Sequence, residues 1–196
     1  MAKEGYPELI DYVATRTGIS KHRTWRVLKE YSKVLKESVK KGNSIEIDKL
    51  ITITFTTKEG YIFENKVIDL EDQVEIVSDN LEMSEIDVRN LILTYIRRIH
   101  DRVQEGYQVN IKGVSYVIPS KDRDGEIICT PRVSPVMEKP DVADFVLSTN
   151  QGNIILKELL GEELRFKIEV SEDLEIPYKI ATKDQKRKFE LKEINI

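Results

Sequence analysis

The sequence has very little cysteine, no long apolar run and no large excess of either charge. Its single cysteine, Cys129, excludes an internal disulfide, so no secreted disulfide framework is expected. No apolar stretch approaches the roughly 18 residues that are needed to span a bilayer. The first eight residues, Met-Ala-Lys-Glu-Gly-Tyr-Pro-Glu, lack the apolar core of a signal peptide. These absences predict a soluble protein in a reducing compartment, with no membrane contact.

Signatures of catalysis and of ligand binding are also scarce. His22 and His100 have no acidic or cysteine partner at ligand spacing, and Cys129 lies in an alternating segment without a visible histidine partner. The segment Asp122-Arg-Asp-Gly125 lacks the later ligand positions of a calcium loop, so a turn is expected there. No phosphate loop or dinucleotide-binding glycine motif occurs. We therefore expect surface histidines, a buried cysteine, no cofactor, no metal, no small-molecule substrate and no enzymatic activity.

The formal net charge of −4 is unevenly distributed along the chain. Residues 1–70 carry 13 basic and 10 acidic residues, residues 71–140 carry 9 and 13, and residues 141–196 carry 9 and 12. A domain that depends on phosphate contacts is usually clearly basic, because each neutralised phosphate requires a Lys or Arg. Only the first third leans that way, and the charge balance therefore disfavours strong nucleic-acid binding.

An internal repeat is the dominant pattern. Residues 19–42 predict a long amphipathic helix that ends at a glycine, and residues 83–106 repeat this pattern with a constant offset of 64. Each long helix follows a shorter helical segment and precedes three segments with strand-like alternation. The prediction is an α+β fold with two tandem units, each a helix, a turn, a long helix and a three-stranded antiparallel sheet. The units span residues 1–70 and 71–140.

Local signals place the ends of these elements. Gly18 suits the C-terminal end of the first helix, and Ser20 and Ser84 are predicted N-caps of the long helices. Asp69 or Asp72 is expected to cap the first helix of the second unit. In the first unit, residues 58–60 predict a hairpin turn after which residues 61–68 return as the third strand.

Residues 141–196 differ from the two units. They contain several strand-like segments separated by turn signals, and they predict a small β-rich module of four or five strands. The segment around Leu159 and Leu160 could instead be helical.

The repeated unit resembles the HU/IHF family of DNA-bending proteins over about residues 6–140. The matching segments are Glu8-Leu-Ile10, Gly18-Ile-Ser-Lys21 and Val39-Lys-Lys-Gly-Asn-Ser-Ile-Glu-Ile47 in the first unit, and Met83-Ser84 and Val103-Gln-Glu-Gly-Tyr-Gln-Val-Asn-Ile-Lys-Gly-Val114 in the second. The family's glycine between its first two strands corresponds to Gly113, whereas the first unit has Lys49 there. The resemblance implies that two protomers or units pair and complete one common core.

The resemblance also implies two long basic β-arms whose tips wedge into the minor groove of DNA. The first unit has only the short turn 58–60, and the second has a short loop at 120–126 in which Lys121 and Arg123 face three carboxylates, for a net charge of −1. Lys121 and Arg123 are candidate nucleic-acid contacts, and the dense basic cluster of the C-terminal third supplies the others: Lys183, Lys186, Arg187 and Lys188.

Two further basic clusters lie on the long helices. Lys21, His22, Arg23 and Arg26 flank Trp25 on the first, and Arg97, Arg98 and Arg102 lie on the second. A solvated or salt-bridged helix face is the simpler interpretation of each, and Trp25 is expected in the core or in an interface.

A scaffold without arms predicts a non-enzymatic structural protein. The divergent HU/IHF-like head and neck proteins of tailed bacteriophages, notably crAss-like phages, are similar to it. This similarity implies a virion component such as a head–tail connector ring, which forms homo-oligomers and is assembled in the bacterial cytoplasm. The alternative is an HU/IHF-like DNA-binding protein of the bacterial nucleoid.

Overall fold

The structure, a computed structural model, describes residues 3–57, 61–63, 65–141, 164–174 and 192–194. These residues form a mixed α+β fold of four helices and two sheets. The helices are α1 (Tyr6–Thr17), α2 (Lys21–Lys40), α3 (Leu70–Leu81) and α4 (Glu85–Gln104). The strands are β1 (Lys3–Glu4), β2 (Ser44–Ile47), β3 (Ile51–Thr57), β4 (Tyr61–Phe63), β5 (Val67–Ile68), β6 (Gln108–Ile111), β7 (Ser115–Lys121), β8 (Ile127–Val133), β9 (Leu164–Val170) and β10 (Lys192–Ile194).

The 64-residue offset holds for whole elements. The first five elements, from β1 to β3, have counterparts whose ends lie 64 residues later: β5, α3, α4, β6 and β7 follow β1, α1, α2, β2 and β3 in that order. Three pairs of residues with positive φ keep the same offset: Gly18 and Glu82, Gly42 and Gly106, and Lys49 and Gly113. The repeat therefore includes turn geometry, even where the amino acids differ.

The helix ends agree with most of the sequence signals. The Ser20 hydroxyl accepts a hydrogen bond from the Arg23 N–H at 3.3 Å, so the predicted cap of α2 is confirmed. Asp69 caps α3 and forms a reciprocal capping box with Asp72. Ser84 occupies the N-cap position of α4, but its side chain makes no capping hydrogen bond.

The two repeats interlock within one chain. Helix α1 packs against α4, and α2 packs against α3, so each repeat contacts the other reciprocally. At the centre Tyr31 and Tyr95, which are related by the 64-residue offset, meet edge to face with their ring centroids 6.4 Å apart. The leading strands also cross over, because β1 pairs with β6 of the second repeat and β5 pairs with β2 of the first. One continuous apolar core results.

The two sheets obtain their third strands differently. In the second repeat, β8 follows β7 directly and pairs with it antiparallel over seven positions. In the first repeat, the corresponding edge of β3 is paired antiparallel over seven positions by β9. The prediction that residues 61–68 form one returning third strand is wrong. They split into β4, whose Ile62 pairs with Thr56 of β3, and β5, which pairs with β2.

Asn65 explains the diversion of this segment. Its side-chain amide donates to the Gly42 carbonyl at 2.7 Å and accepts from the Ser44 hydroxyl at 2.7 Å. The Ser44 N–H also donates to the Lys66 carbonyl at 3.0 Å. These bonds hold the chain at the start of β2, on the edge opposite β9, so the segment does not occupy the edge of β3 that β9 pairs with.

Part of the predicted C-terminal module lies in this sheet. Strand β9 completes the sheet of the first repeat, and β10 pairs parallel with β4. Residues 142–163 and 175–191, with the other strands predicted for the module and the alternative helix near Leu159, lie outside the described residues. The boundaries at residues 70 and 140 stay predictions.

Candidate nucleic-acid interface

The β7–β8 turn is the described counterpart of a DNA-binding arm. Asp122 closes it, because one oxygen of its carboxylate accepts the backbone N–H groups of Asp124 and Glu126, both at 2.9 Å. The Asp122 N–H in turn donates to the Glu126 carbonyl at 2.9 Å, and Gly125 supplies a φ of 83°. The turn is short and hydrogen-bonded to itself, as the sequence predicted for an Asp-Gly turn.

The two basic candidates in this turn are exposed but surrounded by carboxylates. Lys121 is the last residue of β7, and Arg123 lies within the turn. The same seven residues, 120–126, carry three acidic side chains, so the local charge remains −1. Nucleic-acid contact by Lys121 and Arg123 stays a prediction. The other four candidates, Lys183, Lys186, Arg187 and Lys188, lie outside the described residues.

Most cations near the start of α2 are engaged by the protein itself. Lys21 pairs with Asp11 at 2.7 Å, and Arg23 pairs with Asp87 at 3.5 Å. Arg23 and Asp87 are related by the 64-residue offset, so this ion pair links equivalent positions of the two repeats. The residue pair is basic in one repeat and acidic in the other, which makes the contact attractive.

Trp25 was expected in the core or in an interface. Its side chain is 38% exposed on α2, so it does not lie in the core, and a position in an interface stays a prediction. The ring stacks on His22 with centroids 6.2 Å apart, and the Lys29 ammonium lies 4.7 Å from the ring centroid. The inward-facing stripe of α2 is already filled by other side chains, including Thr24 and Val27, and Trp25 lies outside it.

The basic residues of α4 also contact the protein surface. Arg98 lies over the Tyr12 ring at 4.2 Å, and Arg102 pairs with Glu105 at 2.7 Å while it covers the Tyr107 ring. These contacts use the cations to hold α4 against α1 and against the chain after α4. Arg97 is exposed.

The sheets contribute cations that sequence reasoning did not select. Arg165 and Lys167 alternate with buried residues along β9, and Arg132 is exposed on β8. Thr54 and Thr56 of β3 lie opposite Lys167 and Arg165, so these side chains share the face of the sheet that points away from the helices. Lys167 pairs with Glu169 at 2.9 Å. Alternation in 163–170 was the available signal, but only the strand register shows which sheet the residues join.

The remaining candidate residues are the single cysteine and the two histidines. Cys129 is buried, as predicted, and burial raises the pKa of its thiol to about 11. His22 is exposed, whereas His100 is half-buried, with its Nε2 3.3 Å from the Asp173 carbonyl. In the part of the chain that the structure describes, no cluster of three or more His, Cys, Asp or Glu residues could hold a metal ion. No helix among those residues is long and apolar enough to cross a bilayer.

Comparison with known proteins identifies the first repeat. Residues 6–66 match the family model described as bacterial DNA-binding protein, which is the HU/IHF-like family. None of the curated proteins that were compared with the chain matches it. The N-terminal part of the chain therefore contains an HU/IHF-like domain. The family is a non-enzymatic class of DNA-binding architectural proteins.

Proposed function

We propose that this chain is a non-enzymatic assembly protein, built from two HU/IHF-like units that form a pseudo-dimer within one chain. The second unit is assigned to the same family because its elements follow those of the matched first unit at a constant offset of 64 residues. The reciprocal helix packing and the crossed leading strands support the pseudo-dimer, because each repeat completes the other's core.

The closed β7–β8 turn is the observation that favours an assembly function over DNA bending. A DNA-bending arm needs a long strand pair with cations and a wedge at its tip. Here five residues, 122–126, connect the strands, and the backbone of the turn is bonded to Asp122. Together with Lys121 the turn carries a charge of −1, which repels phosphates. The scaffold is kept, and the described arm position lacks the binding apparatus.

The setting that we propose is a bacteriophage virion, as a subunit of a connector ring between head and tail. The resemblance to the divergent HU/IHF-like head and neck proteins of tailed phages supports it. A formal net charge of −4 also suits a protein that contacts other proteins close to packaged DNA without binding that DNA tightly.

One observation favours DNA binding as the second candidate function. The matched family is named for DNA binding, and Arg132, Arg165 and Lys167 lie on strands at the outward faces of the two sheets. Under this hypothesis the contacts are few and electrostatic, and neutralisation of Lys121 and Arg123 weakens binding equally for all sequences.

Titration of labelled duplex DNA with the protein, followed by fluorescence anisotropy, separates the two functions. It is repeated at about six salt concentrations between roughly 50 and 300 mM. The assembly function predicts no sub-micromolar affinity at about 150 mM salt. Sub-micromolar binding with a steep salt dependence would overturn it. The variant D124K/E126K is a matched control. It keeps the Asp122 side chain that closes the turn but changes the local charge from −1 to +3, so it should gain salt-sensitive affinity.

A further inference from the structure

We propose that β9 of one copy can occupy the β3 edge of a second copy, so that strand exchange joins copies of this chain. The inference rests on the assembly function proposed above and identifies the contact that would carry it. The partner is a second copy, the donated segment is residues 164–174, and the acceptor is the edge of β3.

The β3 edge is a site for a third strand, whichever part of the chain supplies that strand. Strand β9 lies on β3 as β8 lies on β7, because residues 51 and 57 face 170 and 164 just as residues 115 and 121 face 133 and 127. The contacts beyond the strands also repeat. After β8, the Ser134 N–H donates to the Val114 carbonyl at 2.9 Å and the Met137 N–H donates to the Ser134 carbonyl at 3.0 Å. After β9, the Ser171 N–H donates to the Leu50 carbonyl at 2.8 Å and the Leu174 N–H donates to the Ser171 carbonyl at 3.1 Å.

The two third strands differ in how the chain supplies them. Five residues connect β7 to β8, whereas residues 58–163 lie between β3 and β9. The segment 142–163 separates β9 from the last preceding described residue, Asp141. Its 22 residues could span up to about 75 Å when fully extended. A strand with such a connection is a candidate for exchange, because the same contacts form whether the donor belongs to the same copy or to another.

The donated segment carries its own recognition features. Ile168 and Val170 face the core beside Ile53 and Ile51, and Leu174 is fully buried beyond the strand. The segment also reaches the second repeat, because the Gln104 side chain donates to the Leu174 carbonyl at 3.1 Å. An incoming β9 therefore contacts both β3 and α4. It recognises the assembled pseudo-dimer and not one repeat alone.

The direction of exchange determines the kind of assembly. The donor segment and the β3 edge are different surfaces, so each copy can give one strand and accept another. Head-to-tail contacts of this type produce a ring when the rotation closes and a filament when it does not. Whether exchange wins over self-closure depends on protein concentration, because the tethered β9 competes at the effective concentration set by its connection.

Two single-cysteine variants of the full chain test the exchange. Thr52 and Glu169 face each other across the β3–β9 pair on its outward side. T52C and E169C chains of different mass are mixed in urea, refolded together at high concentration and treated with a short thiol cross-linker. Exchange predicts covalent heterodimers, since neither chain can link its own β3 to its own β9. Cys129 stays out of the reaction because it is buried.

The matched control replaces E169C with R165C. Arg165 lies on the same side of β9 but faces Thr56, four residues further along, about 13 Å from Thr52. Heterodimers that form equally with R165C reflect random collision and overturn the inference. The double variant T52C/E169C must cross-link within one chain at low concentration, and its failure to do so would overturn the register on which the inference depends.

Native mass spectrometry of the unlinked full chain separates this inference from the proposed function. Oligomers without cross-linked heterodimers overturn strand exchange and leave assembly through other surfaces. Monomers without heterodimers overturn both.

Discussion

Truncation of Ile168 to alanine is the sharpest test of the role of β9 in the core. Ile168 is 2% exposed and lies opposite Ile53, which is fully buried. The change removes three carbon atoms, worth about 2.4 kcal/mol at ~0.8 kcal/mol for each buried methylene group. A residual cavity adds to this, so the expected loss in the free energy of unfolding is about 3–4 kcal/mol. For a chain of this size the midpoint of thermal unfolding should fall by roughly 6–16 °C.

Urea unfolding followed by circular dichroism measures this loss, and calorimetry measures the midpoint. Lys167→Ala is the matched control, because Lys167 is the preceding residue on the outward side and its ion pair with Glu169 is partly exposed. Loss of that pair should cost less than about 1 kcal/mol. If Ile168→Ala changed the free energy of unfolding no more than Lys167→Ala does, β9 would not be part of the core of the first repeat.

Three further predictions follow from the backbone, the buried phenols and the thiol. Lys49→Gly should raise the free energy of unfolding by up to about 1 kcal/mol, because Lys49 has a φ of 55° at the position that Gly113 fills in the second repeat; urea unfolding measures it, and a loss would contradict it. Burial raises the pKa of Tyr6 to about 12 and that of Tyr31 further above the ordinary value near 10. The folded state thus favours the neutral phenols. Their contribution to the free energy of unfolding is complete below about pH 10 and is lost as the pH rises through the folded pKa values. A urea midpoint that stayed constant from about pH 9 to 11 would contradict this. The Cys129 thiol, with its pKa raised to about 11, should react with a thiol reagent at pH 8 only after unfolding in urea, and rapid reaction of the native chain would contradict its burial.

The helices and the repeat could be predicted from the sequence because their signals are local. Apolar spacing marks the inward faces of α2 and α4, and the capping residues Ser20 and Asp69 lie within three residues of the N–H groups that they bind. A constant offset without gaps indicates two units of the same shape, and the resemblance to HU/IHF-like proteins implies that such units pair. Whether they pair within one chain or between chains could not be predicted, and the edge-to-face contact of Tyr31 with Tyr95 is the structural evidence for pairing within one chain.

The third strand of the first repeat could not be predicted in this way. Residues 61–68 and 164–170 both alternate, and strand propensity does not say which of them pairs with β3. The decision depends on Asn65, whose two hydrogen bonds at the start of β2 divert the nearer segment. The two bonds join residues that are 21 and 23 positions apart in the chain, so the local periodicity of the sequence does not reveal them.

The charge distribution of the candidate interface could also be predicted only in part from the sequence. The short, acidic β7–β8 turn was predictable, because Asp122, Gly125 and the neighbouring carboxylates are adjacent in the sequence. The outward position of Arg165 was not, since it depends on the register of β9 against β3. The pairing of Arg23 with Asp87 across the repeats also depends on the tertiary fold.

Native mass spectrometry of the full-length chain, with and without an equimolar DNA duplex, tests the assembly function most directly. We expect homo-oligomers of one defined, ring-sized stoichiometry that carry no DNA. The fraction of chains in these oligomers should rise with protein concentration. A chain that stays monomeric at every concentration and appears as a stable complex with the duplex would contradict it.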